Sequence, residues 1–351
     1  MRITFFFLIC FLILSCTANN KEQEKIPIKV VVVNMFESGE DSGDRPGEHQ
    51  YWVEKLPLDQ QFPFPQGYRD LRYNEEKGVL GIVTGIGNTK AGISITALGH
   101  DPRFDLSDAY WLVAGISGVD PEDAVTGSAA WAEWLVDGDL SHEIDPREMP
   151  EGWTTGYIPL RKSEPYEKPF PAKEKLDMVI RLDPKLVDWA YELTKDTPLK
   201  DDETLKQMRE RYTKHEAADL SPMVIKGDQL AASTYWHGEL LNDWANDWVD
   251  YWTEGQGNFV TSAMEEMGTY HALERLDHVG LVDKSRLLVL RTASNFTMQW
   301  EGASAYESLS GEKLAGKGYS AYIPSLEAAY DVGSQVVNEI VDNWRVYNDK
   351  F

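Results

Sequence analysis

The chain is poor in cysteine and, after its first few residues, in long apolar runs. Cys10 and Cys16 are its only cysteines in 351 residues, and we expect Cys10 to leave with a cleaved leader. We therefore predict that the mature chain has no disulfide, no thiol nucleophile and no cysteine metal site. No later apolar run approaches membrane-spanning length, so the mature chain is not expected to form a helical channel by itself.

Basic residues are also scarce. Lys and Arg together number 34, against 58 Asp and Glu, which gives a net charge of −24 at pH 7. A surface of this sign repels phosphate backbones and anionic lipids. We predict no nucleic-acid partner and no electrostatic attraction to a membrane surface.

Several catalytic and metal-binding patterns are missing as well. The seven histidines are scattered, without the spacing of metal ligands and without an HExxH pair. No GxSxG elbow occurs, which argues against a serine hydrolase of that type. We expect neither a metal site nor a cofactor.

The N-terminal residues resemble a bacterial lipoprotein signal. An apolar run from Ile3 to Leu14 is too short to span a bilayer and fits the core of a signal peptide. It ends at Cys16 in a pattern similar to a lipobox. We predict a signal peptide over residues 1–16, lipidation of Cys16 and a tether over residues 17–26. The protein would then be exported, as a periplasmic or cell-surface lipoprotein of a bacterium whose only membrane contact is the lipid anchor; an ordinary cleaved signal is the alternative.

Apolar segments along residues 27–351 alternate in the manner of an α/β protein. Residues 28–33 are almost wholly β-branched and apolar, typical of a strand buried on both faces. Further strands are predicted within residues 78–83, 108–119, 127–140 (one alternating strand, in a hairpin), 221–233 and 286–296. Helices are predicted after residue 84, over 261–276 except at its start, and over 323–349. This alternation indicates one domain with a central mixed sheet. Residues 41–67 are predicted to be loop, and residues 161–220 a helical insertion.

Polar residues follow several of the predicted strands. They are Glu37, Asn88, Ser117, Ser294 and Asn295. Because ligands of α/β sheets bind beyond the carboxyl ends of the strands, we expect these side chains to converge.

A glycine-rich turn, TGIGNTKAG, spans Thr84 to Gly92. Backbone N–H groups around Gly85 are candidates for binding an anion, and a simple tight turn is the alternative. As a dinucleotide fingerprint the turn is poor, because the third glycine is missing.

Tryptophans are concentrated in YWHGELLNDWANDWVDYW, residues 235–252. Trp244 and Trp248 are four residues apart and share a helix face. Core packing is the favoured interpretation, and a stacking wall for a flat ligand is the alternative.

Five segments occur in the order TGIGNTKAG, VAGISGV, GDQLAAS, SAMEEMG and RTASNF. This order resembles that of the nucleoside phosphorylase and nucleosidase superfamily over most of residues 28–351. Within it, SAMEEMGTY and RTASNFTMQ look nearly the same as stretches of the purine nucleoside permease family. The resemblance implies a nucleoside phosphorylase-like three-layer α/β fold, with a central mixed β-sheet flanked by helices.

The resemblance also implies a site. Met264 would pack on the ribose and Glu265 would accept its hydroxyls, while a solvated first-turn carboxylate is the alternative for Glu265. Ser294 and Asn295 match the pair that contacts purine N7, with Asn in place of the commoner Asp. Asp228 matches a position before the purine-facing segment. Leu230 stands where superfamily members usually have a Phe, so Tyr235 or Trp236 would supply the aromatic face. The predicted catalytic residues are Asn295, Glu265 and Glu37, and the predicted substrate-binding residues are Met264, Ser294, Asp228, Gly85, Ser117, Tyr235 and Trp236.

The first loop, NMFESGED, is acidic, and the turn at Thr84 carries Lys90 but no arginine. Glu37 and Glu40 would repel phosphate and could orient water, which favours hydrolysis over phosphorolysis. We therefore predict a purine nucleoside-binding protein that cleaves the N-glycosidic bond, with a homo-oligomer as a further possibility. The alternative is a non-catalytic component that supports nucleoside uptake through a separate transporter.

Overall fold

The computed structural model describes residues 24–171, 177–215, 220–314 and 321–351. The predicted signal peptide, Cys16 and most of the predicted tether lie outside these residues. None of the described helices combines the length and the apolar content that crossing a bilayer requires.

The strands and helices follow one another along the whole described chain. The strands are β1 (Ile26–Pro27), β2 (Val30–Asn34), β3 (Gln60–Phe62), β4 (Leu71–Asn74), β5 (Val79–Val83), β6 (Phe104–Asp105), β7 (Tyr110–Val119), β8 (Ala129–Trp131), β9 (Trp134–Asp137), β10 (Ser141–Glu143), β11 (Tyr157–Pro159), β12 (Val179–Arg181), β13 (Val224–Lys226), β14 (Asp228–Ala231), β15 (Phe259–Ala263) and β16 (Leu287–Phe296). The helices are α1 (Gln50–Lys55), α2 (Asn88–Gly99), α3 (Pro184–Thr194), α4 (Glu203–Arg209), α5 (Glu239–Thr253), α6 (Glu266–Asp277), α7 (Ala305–Leu314), α8 (Tyr322–Asp342) and α9 (Trp344–Tyr347).

Twelve strands of the described ranges join in one mixed sheet. The two longest, β7 and β16, run parallel side by side, while β2 is parallel to β7 and β5 is parallel to β2. β15 runs antiparallel to β7 near the carboxyl end of β7. The carboxyl ends of β5, β2, β7 and β16 therefore meet at one edge, and the predicted α/β fold with a central mixed sheet flanked by helices is confirmed.

Burial explains why these segments form the sheet centre. Every residue of β2 and of β16 is buried, as expected for strands covered on both faces. Helix α8 packs on β7 and β16 through an apolar stripe that includes Val332, Val336 and Ile340. Helix α2 packs on α6, where Gly92 and Gly268 allow close backbone approach.

The single strand in a hairpin that was predicted over residues 127–140 is wrong. The segment forms two short strands, β8, which pairs with β13 and β16, and β9, which pairs with β12 and β14. The chain steps sideways between them because the carboxylate of Asp228 accepts the backbone N–H groups of Glu133 and Trp134, at 3.1 and 2.7 Å.

One further expectation needs correction. Residues 41–67 are not all loop, since they contain α1 and β3. The helix predicted over residues 261–276, except at its start, is confirmed, because residues 261–263 complete β15 and pair with β14 before α6 begins at Glu266.

The tryptophan-rich segment forms core. Trp248 and Trp252 have no exposed surface and Trp244 has 3%, and all three belong to one apolar cluster on α5. The Trp248 indole donates to the backbone carbonyl of Asp137 at 2.8 Å. The core-packing interpretation of Trp244 and Trp248 is therefore confirmed.

The described part of residues 161–220 contains β12, α3 and α4. Strand β12 joins the main sheet through β9, and α3 packs on α8. The division of the chain into a domain with a helical insertion there stays a prediction.

Candidate functional site

A cleft with a cavity volume of about 240 Å³ opens beyond the carboxyl ends of β7 and β16. It lies where α/β sheets place their ligands. The structure brings seven of the predicted site residues into its lining, namely Ser117, Tyr235, Trp236, Met264, Glu265, Ser294 and Asn295.

A β-bulge shapes one wall of the cleft. The register of β16 against β7 shifts between Ala293 and Asn295, so that one extra residue bends the strand. The Asn295 Nδ2 donates to the Phe296 carbonyl at 3.0 Å, which fixes the orientation of the amide. Its Oδ1 then accepts the Ser294 hydroxyl at 2.8 Å. One N–H of the amide therefore remains for a ligand in the cleft.

Aromatic and hydroxyl side chains line the same region. Trp236 is 9% exposed and packs at 6.0 Å from Phe259, ring centre to ring centre. Tyr235 is 38% exposed and stands at the surface. Ser117 and Thr297 add hydroxyls from β7 and from the residue after β16. A flat, polar-edged ligand would meet an aromatic side and several hydrogen-bonding groups here.

Glu265 lies at the junction between β15 and α6. It is 3% exposed, so a solvated first-turn carboxylate does not describe it. Its Oε1 accepts the backbone N–H of Gly87 at 2.9 Å, and its Oε2 accepts the Arg291 guanidinium at 2.7 Å. The anion bound by the glycine-rich turn is thus the chain's own carboxylate. Burial raises the pKa of Glu265, and the neighbouring Glu266 adds to that rise while Arg291 opposes it.

Arg291 is the electrostatic centre of the cleft. It is 2% exposed, and it contacts Glu266 as well as Glu265. Its Nη1 lies 3.9 Å from the Glu48 Oε1 and donates to the Ile116 carbonyl at 3.0 Å. Burial alone would lower the pKa of Arg291, but the three carboxylates, Glu266 foremost, raise it, so the guanidinium stays charged.

Glu48 faces Arg291 across the cleft floor. Its Oε2 accepts the Met35 N–H at 2.7 Å and its Oε1 accepts the Ile116 N–H at 2.8 Å. Burial raises the pKa of Glu48 to about 8, Arg291 opposing the rise and Glu265 adding to it. Glu48 therefore changes charge near neutral pH, which suits a group that transfers protons.

Glycine on β7 makes room for this pair. A Cβ at position 115 would collide with the side chains of Met35, Glu48 and Arg291. The close packing of a carboxylate and a guanidinium beneath the cleft therefore depends on Gly115.

Three predicted site residues do not line the cleft. The carboxylate of Glu37 accepts four backbone N–H groups of its own loop. The carboxylate of Asp228 likewise accepts the backbone N–H groups of Glu133, Trp134 and Asn258. Gly85 has a φ of 83° and shapes the turn that presents Ile86 and Gly87. All three residues therefore have a structural role near the cleft: Glu37 and Asp228 bind backbone N–H groups, and Gly85 permits the turn.

Asn88 was expected among the polar residues that converge at the strand ends. It does not line the cleft, but it connects three segments next to it. Its side chain accepts the Gly268 N–H at 3.0 Å and donates to Asp139 at 3.1 Å. Its backbone N–H donates to the Ser233 hydroxyl at 3.3 Å. It therefore ties the start of α6 to the loops after β9 and β14.

Glu48, Glu266 and Arg291 were not predicted as site residues. A signal existed for Arg291, because it is the only charge inside the apolar strand LLVLRTASNF and a buried charge requires a partner. Glu266 is adjacent in sequence to Glu265 and could have been included with it. Glu48 lies in a loop rich in polar residues, and nothing in its sequence surroundings distinguishes it.

Comparison with known proteins gives consistent results. A family model described as purine nucleoside permease matches residues 27–351. A purine nucleoside permease of Candida albicans is 30% identical over 281 residues, which cover 79% of this chain and 67% of the relative. A Schizosaccharomyces pombe protein described as a probable purine nucleoside permease is 28% identical over 283 residues, which cover 79% of this chain and 80% of the relative. Among solved structures, a futalosine hydrolase of Helicobacter pylori superposes with a TM-score of 0.52 at 13% identity, covering 89% of this chain and 98% of that chain; this likeness concerns the fold alone.

The organisms of the two named relatives correct one prediction. Both are fungi, so the prediction of a bacterial periplasmic or cell-surface lipoprotein is wrong. It rested on residues 1–16, where a short apolar run before a cysteine carries little specificity.

Proposed function

The chain belongs to the purine nucleoside permease family, and from this premise we propose that its cleft binds a purine nucleoside and that the protein hydrolyses the N-glycosidic bond. One observation carries the proposal. The carboxylates of Glu265 and Glu48 line the same cleft as the Asn295 amide, and Arg291 lies beside both carboxylates.

Glu265 is assigned to the sugar. Breaking the glycosidic bond leaves a cation-like ribose, and a carboxylate that accepts the ribose hydroxyls stabilises this charge as it develops. Each carboxylate oxygen already has one donor, and each has a further lone pair for a hydroxyl. Met264, the preceding residue in the cleft lining, would pack on the sugar.

Asn295 is assigned to the base. The departing purine gains negative charge, and an N–H aimed at N7 stabilises it. The bulge and the bond to Phe296 hold this amide in one orientation. Because an amide cannot supply a proton, the leaving base must be stabilised by hydrogen bonding, which favours 6-oxopurines.

Glu48 is assigned to the water. The attacking water adds its oxygen to C1′ of the ribose and gives up a proton, which the ionised Glu48 carboxylate accepts. A pKa of about 8 places this group near the working pH. Glu48 takes the role that the sequence assigned to Glu37.

The surroundings support water over phosphate as the nucleophile. Arg291 is the only cation in the described lining of the cleft, and carboxylates already surround it. Arg69 and Arg72, two arginines beside the first loop, both bind Asp41, and Arg45 of that loop lies over the Tyr322 ring at 5.1 Å. The N–H groups that could hold a phosphate at Gly87 and around Glu37 are likewise engaged by carboxylates.

The test is release of free base from inosine, guanosine and adenosine, with and without phosphate. We expect ribose as the sugar product and a rate that phosphate leaves unchanged. A rate that rises saturably with phosphate, with ribose 1-phosphate as product, would replace hydrolysis by phosphorolysis.

A second candidate function is nucleoside binding without cleavage, in support of a separate membrane transporter. The family's description as permeases favours it, together with the lack of a membrane-crossing helix among the described residues. If calorimetry shows that inosine binds and no base is released over many hours, the protein binds nucleosides without cleaving them.

A further inference from the structure

The carboxylate of Glu37 fills a cluster of backbone N–H groups. Its Oε1 accepts the N–H groups of Ser38, at 2.8 Å, and Gly47, and its Oε2 accepts those of His49 and Gln50, at 3.0 and 2.6 Å. Converging N–H groups of this kind form an anion site. Here the anion belongs to the chain.

The loop is built closely around this carboxylate. A Cβ at Gly47 would come within 2.7 Å of the Glu37 Cα and 2.9 Å of its Oε1, so only glycine permits the approach. Arg69 and Arg72 hold the outer part of the loop through Asp41, at 2.9 and 2.7 Å. Glu37 itself is 7% exposed.

Glu48 lies between residues that Glu37 holds. The N–H groups of Gly47 and His49 bind Glu37, and the N–H of Glu48 itself donates to the Phe36 carbonyl at 3.1 Å. The Glu48 side chain extends to the cleft, where it meets Arg291. The backbone position of Glu48 is therefore set by contacts to residues 36 and 37.

We propose that Glu37 is a positioning residue: its carboxylate replaces an external anion in the loop and holds Glu48 at the cleft. The inference rests on the proposed function in so far as Glu48 acts on the water. A displacement of about 1 Å in a catalytic group can lower a rate roughly 100-fold. Loss of Glu37 should therefore lower kcat by about 10- to 100-fold and change KM little, since Glu265 and Asn295 hold the ligand.

The main variant is Glu37→Ala. The atoms that this change removes beyond Cβ correspond to acetate, which should enter the vacated site and bind the same N–H groups. Added acetate should restore kcat saturably, and acetamide, which is neutral and of the same shape, should not. Acetate should also raise the melting temperature of Glu37→Ala by about 2–5 °C when present well above its dissociation constant.

Two further variants serve as controls. Glu37→Gln keeps the shape but turns an amide NH₂ toward backbone N–H groups, so it should lose activity and acetate should not restore it. Asp44→Asn removes a charge from the exposed part of the same loop and keeps an oxygen for the Glu40 N–H, which Asp44 accepts at 3.1 Å. It should retain the kcat of the wild type and show no response to acetate.

The outcomes separate this inference from the proposed function. If the wild type cleaves no nucleoside, the proposed function fails, while acetate-dependent melting of Glu37→Ala still tests the anion site. If acetate changes neither the melting temperature nor the rate of a folded Glu37→Ala, the inference is overturned. A Glu37→Ala variant with the kcat of the wild type in the absence of acetate would also overturn it.

Discussion

Glu265→Gln tests the assignment of the ribose end of the cleft most directly. Both oxygens of the carboxylate have a donor, the Gly87 N–H at 2.9 Å and Arg291 at 2.7 Å. Glutamine keeps one acceptor and presents an NH₂ to the other donor. The fold should tolerate the change, because the buried Arg291 keeps Glu266 and Glu48 as charged partners when the charge of Glu265 is removed.

The effect on the rate should be larger than the effect on binding. A well-placed charged group that supports the developing sugar cation contributes roughly 2–4 kcal/mol in the transition state. At about 1.4 kcal/mol for each factor of ten, kcat/KM should fall about 30- to 1000-fold. Binding of the nucleoside should weaken less, because the ground-state ribose carries no charge.

The assay combines rates of hypoxanthine release from inosine with calorimetric titration of inosine and of hypoxanthine. Hypoxanthine should bind Glu265→Gln as it binds the wild type, since the free base lacks the sugar. Glu274→Gln makes the same substitution on α6, the helix that follows Glu265. Glu274 pairs with Lys284 at 3.2 Å, and its change should leave all three quantities as they are in the wild type. Equal losses for base and nucleoside in Glu265→Gln would refute the ribose assignment, and so would an unchanged rate.

The remaining predictions concern the base and the water. Asn295→Ala should weaken hypoxanthine and inosine binding alike and change the preference among bases, as competition between inosine and adenosine would show; selective loss of the nucleoside alone would contradict the assignment. The kcat/KM of the wild type should rise about tenfold per pH unit and level off above a pH of about 8, because the raised pKa of Glu48 keeps it protonated below that pH and only the ionised form accepts a proton. Glu48→Gln should lose this rise together with most of the rate, whereas a rate that falls through the same pH range would make Glu48 an acid instead.

The fold was largely predictable because its central strands carry strong patterns. Residues 30–33 and 287–290 are apolar throughout, and such runs are typical of strands buried on both faces. The single strand predicted over residues 127–140 is interrupted because the carboxylate of the distant Asp228 accepts the backbone N–H groups of Glu133 and Trp134. Local spacing holds no information about such a partner.

Part of the site was predictable because some of its residues belong to recognisable sequence motifs. Glu265 and Asn295 belong to motifs whose order resembles a known family, and the structure brings both to one cleft. Glu48 was not predicted as a site residue because its position depends on tertiary contacts, to Arg291 and to the Ile116 N–H. Glu37 was expected at the cleft as the acid nearest a strand end, but four nearby N–H groups compete for its carboxylate.

The occupation of backbone N–H groups by the chain's own acids, four by Glu37 and one by Glu265, bears on the direction of the reaction. Phosphorolysis conserves the energy of the glycosidic bond in a sugar phosphate and can run backward to rebuild the nucleoside. Glu37 occupies N–H groups of the loop beside the cleft and Glu265 occupies that of Gly87, and under the proposed function water is therefore the nucleophile. Cleavage would then be effectively irreversible. The protein would convert nucleosides to free base and ribose and could not rebuild them by the reverse reaction.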